Sequence, residues 1–139
     1  MVPWMLGPVE FTVPGGEASL VQLGVPPRGR IRNIRLFQTA GAAGDATVQL
    51  FQSEAAARSL LTGWASEPFD GPDPNVHSVF GAKTATAGTL DETDKAYDYQ
   101  NRDGSLTTAK RRLWLVITPA SGGDHTYTLS MLIADLLNL

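Results

Sequence analysis

From Val9 to Val13 the chain alternates apolar and polar positions, with Val9, Phe11 and Val13 on one side and Glu10 and Thr12 on the other. Successive side chains of a strand leave opposite faces of the pleat, so a period of two marks a half-buried strand. The same alternation returns in SLVQLGV (19–25) through Val21, Leu23 and Val25. In RIRNIRLFQ, Ile34 and Leu36 alternate with Asn33, Arg35 and Phe37. DATVQLFQ (45–52) places Ala46, Val48 and Leu50 inward against Thr47 and Gln49. With the glycine-rich TAGAAGD between them, these last two stretches read as a hairpin.

SEAAARSLL (53–61) breaks the pattern: Ser53 is a suitable helix cap and three alanines favour one or two helical turns. WASEPFDGPDPN (64–75) holds three prolines and a glycine, which exclude regular ladder pairing and mark a surface loop. VHSVF (76–80) reads as a strand, and GAKTATAGTL (81–90) as a strand or an ordered loop. In the last third, KAYDYQ (95–100) and the turn NRDG feed RRLWLVIT (111–118), and PASGGDH turns the chain into TYTLSMLI (126–133). The last stretch sets Tyr127, Leu129, Met131 and Ile133 against Thr126, Thr128, Ser130 and Leu132.

RRLWLVIT is apolar on both faces, with Leu113, Leu115 and Ile117 opposite Trp114 and Val116. One face is expected to line the core, and the other to be covered by an arm, a loop or a neighbouring subunit. Short strands separated by Gly, Pro and Asp turns predict an all-β fold, an antiparallel β-sandwich or jelly roll with one short helix. Long helices between strands, which an α/β fold needs, are missing. The expected organisation is one domain over 1–139, with an apolar N-terminal arm at 1–8 and a C-terminal tail at 134–139.

A chain of 139 residues suits a single core. Its apolar runs, such as LWLVI (113–117) and MLIA (131–134), are far below the roughly 18 residues that cross a bilayer as a helix. MVPWMLGPVE lacks the basic start and continuous apolar centre of a secretory signal, and no Asn-x-Ser/Thr acceptor occurs, so a product made or assembled in the cytosol is expected. The absence of cysteine excludes disulfides, thiolate metal sites and cysteine nucleophiles. A formal charge of −3 argues against a nucleic-acid partner. Charge is nonetheless segregated: Arg28, Arg30, Arg32 and Arg35 cluster, as do Lys110, Arg111 and Arg112, while eight of the fourteen acidic residues lie from Glu67 to Asp103. Such opposite-sign patches suit a protein partner or a symmetry mate.

Catalytic signatures are not found. A Ser–His–carboxylate arrangement would have to use His77 or His125, and no Gly-x-Ser-x-Gly elbow accompanies either. His125 in SGGDHTY reads as a solvated loop tip, and His77 as a packed or exposed strand residue. DGPDPN (70–75) lacks the terminal Glu of a calcium loop, DETD (91–94) reads as a solvated turn, and GAAGD lacks the Lys-Ser/Thr of a phosphate loop. No enzyme activity, cofactor or metal is expected.

The succession of ATVQLFQSE, a loop, AYDYQNRDG and LWLVITPASGGDHTYTLSM resembles small β-sandwich virion proteins of tailed bacteriophages, particularly capsid decoration (cement) proteins. The likeness lies in strand order, length and turn style over residues 30–133. It implies a structural virion protein on the outer surface of an assembled capsid, bridging capsomers. The implied partners are the major capsid protein and further copies of the chain, as a homotrimer. Candidate contact residues follow from residue type and position: Trp4 and Met5, the four arginines at 28, 30, 32 and 35, Trp64 and Phe69 in the proline-rich loop, and Leu136, Leu137 and Leu139. The rival expectations are a carbohydrate- or receptor-binding sandwich, with Trp64, Trp114 and Tyr97 or Tyr99 as stacking platforms, and another virion part such as a head–tail connector or tail protein.

Overall fold

Alternation in the sequence becomes two antiparallel sheets in a computed structural model that describes residues 2–61, 78–92, 96–100 and 112–135. Sheet A is ordered β1 (Val2–Pro14), β9 (Asp124–Asp135), β3 (Arg28–Ala40), with β6 (Thr89–Glu92) and β7 (Tyr97–Gln100) paired in succession along the far edge of β3. Sheet B is ordered β2 (Ser19–Gly24), β8 (Arg112–Pro119), β4 (Ala46–Phe51), β5 (Ser78–Ala85). Among the described residues the chain changes sheet at almost every connection, and only β4 and β5 are both consecutive and paired. This is the double Greek-key order of a jelly roll.

Both sheets turn their alternate apolar residues into one core, which takes Ile34 and Leu36 from β3, Val48 and Leu50 from β4, Leu113, Leu115 and Ile117 from β8, and Tyr127, Leu129, Met131 and Ile133 from β9. The inward faces read from the sequence are therefore correct. The expected hairpin between RIRNIRLFQ and DATVQLFQ is not: β3 pairs with β9, β6 and β7, whereas β4 pairs with β8 and β5. Alternation fixes which side of a strand faces the core, and two strands on opposite sheets satisfy it as well as two neighbours do. For the same reason β7 does not form a hairpin with β8; it pairs with β3.

Residues 2–8, expected to leave the domain as an arm, are instead the first half of β1 and pair with the end of β9, from Val2 opposite Asp135 to Leu6 opposite Met131. Proline is tolerated there because, among the described residues, β1 is an edge strand whose outer backbone groups have no ladder to complete. The ladder shifts register between Leu6 and Val9, where Gly7 has φ +88° and a Cβ would press on the Leu129 carbonyl. A glycine meets both demands.

The second face of β8 is covered from within the chain. Trp114 and Val116 form a separate buried cluster with Phe51, Ala56 and Ala57, beneath the helix α1 (Glu54–Arg58). Ser53 caps α1, its hydroxyl accepting from the Ala56 amide at 3.4 Å, and Arg58 closes an i,i+4 pair to Glu54 at 3.1 Å. Alanines at 56 and 57 are fully buried, small enough for this single turn to pack close to Trp114.

Candidate functional site

Three outer surfaces of the sandwich differ in how their side chains are covered. Sheet B is roofed over Trp114 by α1. The loop end is closed by polar contacts: the Gln38 side-chain amide donates to the carbonyls of Ala40 and Ala42 at 3.1 and 2.9 Å, and lies 3.2 Å from His125 Nδ1. His125 Nε2 lies 2.9 Å from the Ser121 carbonyl, and the ring is only 1% exposed. Donation from Nε2 to that carbonyl leaves Nδ1 an acceptor, and the two Gln38 amide hydrogens are shared among it and the two carbonyls. The expectation of a solvated His125 is thus corrected, because the strand begins at Asp124 and carries the imidazole inward to partners that sequence proximity does not suggest.

The outer face of sheet A carries no such roof among the described residues. Register sets its rows: Met5, Leu132 and Asn33 lie side by side, then Ser130, Arg35 and Asp91, then Glu10, Thr128, Phe37 and Thr89. Met5 is 64% exposed and Phe37 37% exposed. The Arg35 guanidinium stands 5.8 Å from the Phe37 ring centre. Trp4 shares its row with the core residues Ile133 and Ile31, yet it sits at the open end of the edge strand and is 45% exposed.

The arginines expected as contacts enter this geometry at one end of the sheet. Arg28 faces Gln100 and Arg30 faces Asp98 across the β3–β7 ladder. Arg30 grips Asp98 with Nε to Oδ1 at 2.6 Å and Nη2 to Oδ2 at 3.1 Å, a two-point contact that, with the nearby charges, holds the Asp98 carboxyl below the usual range. Arg32 occupies the register shift between Ile31 and Asn33, which lets Ile31 and Ile34 both face the core. Pro3, Arg32, Leu132, Ile133 and Ala134 line a small apolar recess of about 120 Å³ there. The structure thus gathers Trp4, Met5, Arg28, Arg30 and Arg32 at one end of sheet A, with Arg35 on the face beyond.

Trp64, Phe69, Leu136, Leu137 and Leu139 lie outside the described residues, as do His77, DGPDPN, Lys110 and Arg111. Two proposed sugar platforms are corrected: Trp114 is 1% exposed, and Tyr99 is 3% exposed with its hydroxyl donating to the Pro26 carbonyl at 2.7 Å. Tyr97 packs against Phe80 at 5.3 Å between ring centres. Sequence reasoning missed Leu132, Asn33, Ser130 and Asp91. Leu132 had left a signal, since it is the apolar residue on the otherwise polar side of TYTLSMLI.

Among the described residues, no group of three or more His, Asp or Glu is placed to hold a metal ion, and no helix is long and apolar enough to cross a membrane. Comparison with known proteins finds no matching family model and no matching curated protein.

Proposed function

We propose that this chain is a non-catalytic structural module of a phage virion, binding the outer surface of an assembled capsid and stabilising it by bridging capsomers. The observation that carries the reading is the exposed end of sheet A, where Trp4 and Met5 at the start of β1 and Arg28 and Arg32 at the start of β3 flank the end of β9, in a protein that buries Trp114 beneath its own helix. Tryptophan, methionine and arginine are the residue types that interfaces concentrate, and a rigid strand end presents them at little cost in chain ordering. A module that recognises only the assembled lattice stabilises it by mass action, and repeated weak contacts add through multivalency. Its partners on this reading are the major capsid protein and further copies of itself, and its location is the virion surface after synthesis in the host cytoplasm.

Co-sedimentation tests the proposal. The chain should pellet with assembled shells of the major capsid protein encoded in the same genome and stay in solution with unassembled subunits. Retention in the supernatant in both cases contradicts it.

A further inference from the structure

The two sides of the sandwich are closed differently. Where β5 meets β6 and β7, the Lys83 ammonium lies over the Phe80 and Tyr97 rings and pairs with Glu92. On the other side β1 lies against β2, and among the described residues no ion pair joins them. The core-facing Val9, Phe11 and Val21 stay only partly buried there.

An edge strand invites pairing with another chain unless prolines, bulges, inward-pointing charges or short length prevent it. β1 carries Pro3, Pro8, Pro14 and a register shift. The ladder of β5 with β4 is shifted, and Lys83 stands opposite the core residue Val48 as an inward-pointing charge. β6 and β7 have four residues each. β2 has none of these guards: SLVQLG holds neither proline nor charge, and it pairs with β8 in unbroken register from Ser19 opposite Ile117 to Gly24 opposite Arg112. Among the described residues no strand lies along its other edge, so alternate residues turn a backbone N–H and C=O outward.

The complement of such an edge is an extended, uncharged strand, and β2 is itself one. Antiparallel pairing of β2 with β2 of a second copy follows a two-fold axis normal to the sheet, which preserves faces: Val21 and Leu23 stay on the core side, Leu20 and Gln22 on the outer side. Charge fits this sense of pairing. Glu17 is exposed just before the strand, and Arg112 lies beside its end, donating to Gln22 Oε1 at 2.7 Å. Antiparallel pairing brings the acidic end of each copy to the basic end of the other, whereas parallel pairing sets like against like.

We propose that β2 is a self-association edge, through which two copies join sheet B to sheet B about a two-fold axis. The copy covers Val21, which the open edge leaves partly exposed. A two-fold contact uses the same edge on both copies, so assembly stops at the dimer. One consequence rests on the capsid reading: the pair turns both sheet A faces to the same side with the two Trp4–Met5 ends pointing apart, since β2 runs toward that end before the chain enters β3 at Arg28. Such a bivalent module spans two sites of a lattice.

Sedimentation velocity of the isolated full chain tests the pairing, over about 1 to 100 µM, where reversible dimers of moderate affinity form. A concentration-dependent dimer is expected. Gln22→Lys, at an exposed position, should weaken it at least about tenfold by crowding ammonium groups at the two-fold, while Glu10→Lys on β1 should leave it unchanged. The two face-preserving registers of greatest overlap put either Val21 or Gln22 on the axis. The chain has no cysteine, so oxidation of Val21→Cys or Gln22→Cys can form a disulfide only between copies; one of the two should give a covalent dimer, and Thr12→Cys on β1 should not. A monomer throughout the range, a trimer, or a dimer that Glu10→Lys weakens and Gln22→Lys does not overturns the proposal. The unfolding midpoint of each variant separates lost pairing from lost folding. No shell is present, so failure here is distinct from failure of the capsid reading.

Discussion

Lys83 of β5 and Glu92 of β6 meet at 3.3 Å, joining an edge strand of one sheet to an edge strand of the other. Both side chains are mostly buried, and the ammonium also lies 5.6 Å from the Phe80 ring centre and 5.3 Å from that of Tyr97. Lys83→Met keeps the aliphatic stem but leaves Glu92 partly buried without its cation. We expect a loss of about 1–2 kcal/mol, between the values for exposed and fully buried pairs. The urea midpoint at unchanged slope measures it.

Stability should fall in alkali. Burial raises the Tyr127 hydroxyl above its ordinary 10.0, so the folded chain keeps a proton that the unfolded chain releases. The contribution is constant below about pH 10 and is lost as pH rises beyond it. Hydrogen bonding to Tyr97, and then to Glu92, holds Lys83 charged above its ordinary 10.5, so its stabilisation is likewise present below that pH and lost above it. The buried Tyr127 oxygen has no hydrogen-bond partner. Tyr127→Phe should therefore be neutral, or stabilising by up to about 1 kcal/mol at pH 7, and should reduce the loss near about pH 11. Urea unfolding of both proteins at the two pH values checks this.

The contact of α1 with Trp114 should be a major stabilising feature. Trp114→Ala empties the second cluster and is expected to cost about 3–5 kcal/mol. A loss under about 1 kcal/mol in the same unfolding assay would show that the helix does not seal this face.

Removing the imidazole from the loop end should cost less but remain measurable. His125→Ala leaves the Ser121 carbonyl without its donor and empties a buried ring site, with an expected loss of about 2–3 kcal/mol by thermal unfolding.

These residues also mark how far the sequence could be read. In β8, in β9 and in β3 from Ile34 to Leu36 the inward sets were legible because each follows the pleat without interruption, as in Leu113, Leu115 and Ile117. Pairing was not legible, since β3 and β4 present equivalent patterns to one core from opposite sheets. The cover over Trp114 was anticipated without its source: α1 was expected from Ser53 and its alanines, but nothing local says which surface one helical turn will meet. His125 was misplaced because glycines before it suggest a loop, while its partner Gln38 is distant in the chain. The contact residues Trp4, Met5 and the arginines were chosen by type, and their gathering depends on β1 joining the sheet. The outer row of Met5, Leu132 and Asn33 depends on register shifts at Gly7 and Arg32 that alternation alone does not reveal.

The most direct test of the central claim is shell co-sedimentation of the Trp4→Ser, Met5→Ser double variant beside the unsubstituted chain. Met5 is largely exposed and Trp4 about half exposed, so the unfolding free energy should fall by about 1–2 kcal/mol with the fold kept, whereas shell binding should fall at least about tenfold. Binding equal to that of the unsubstituted chain, with the fold intact, contradicts the assignment of this end of sheet A as the docking surface.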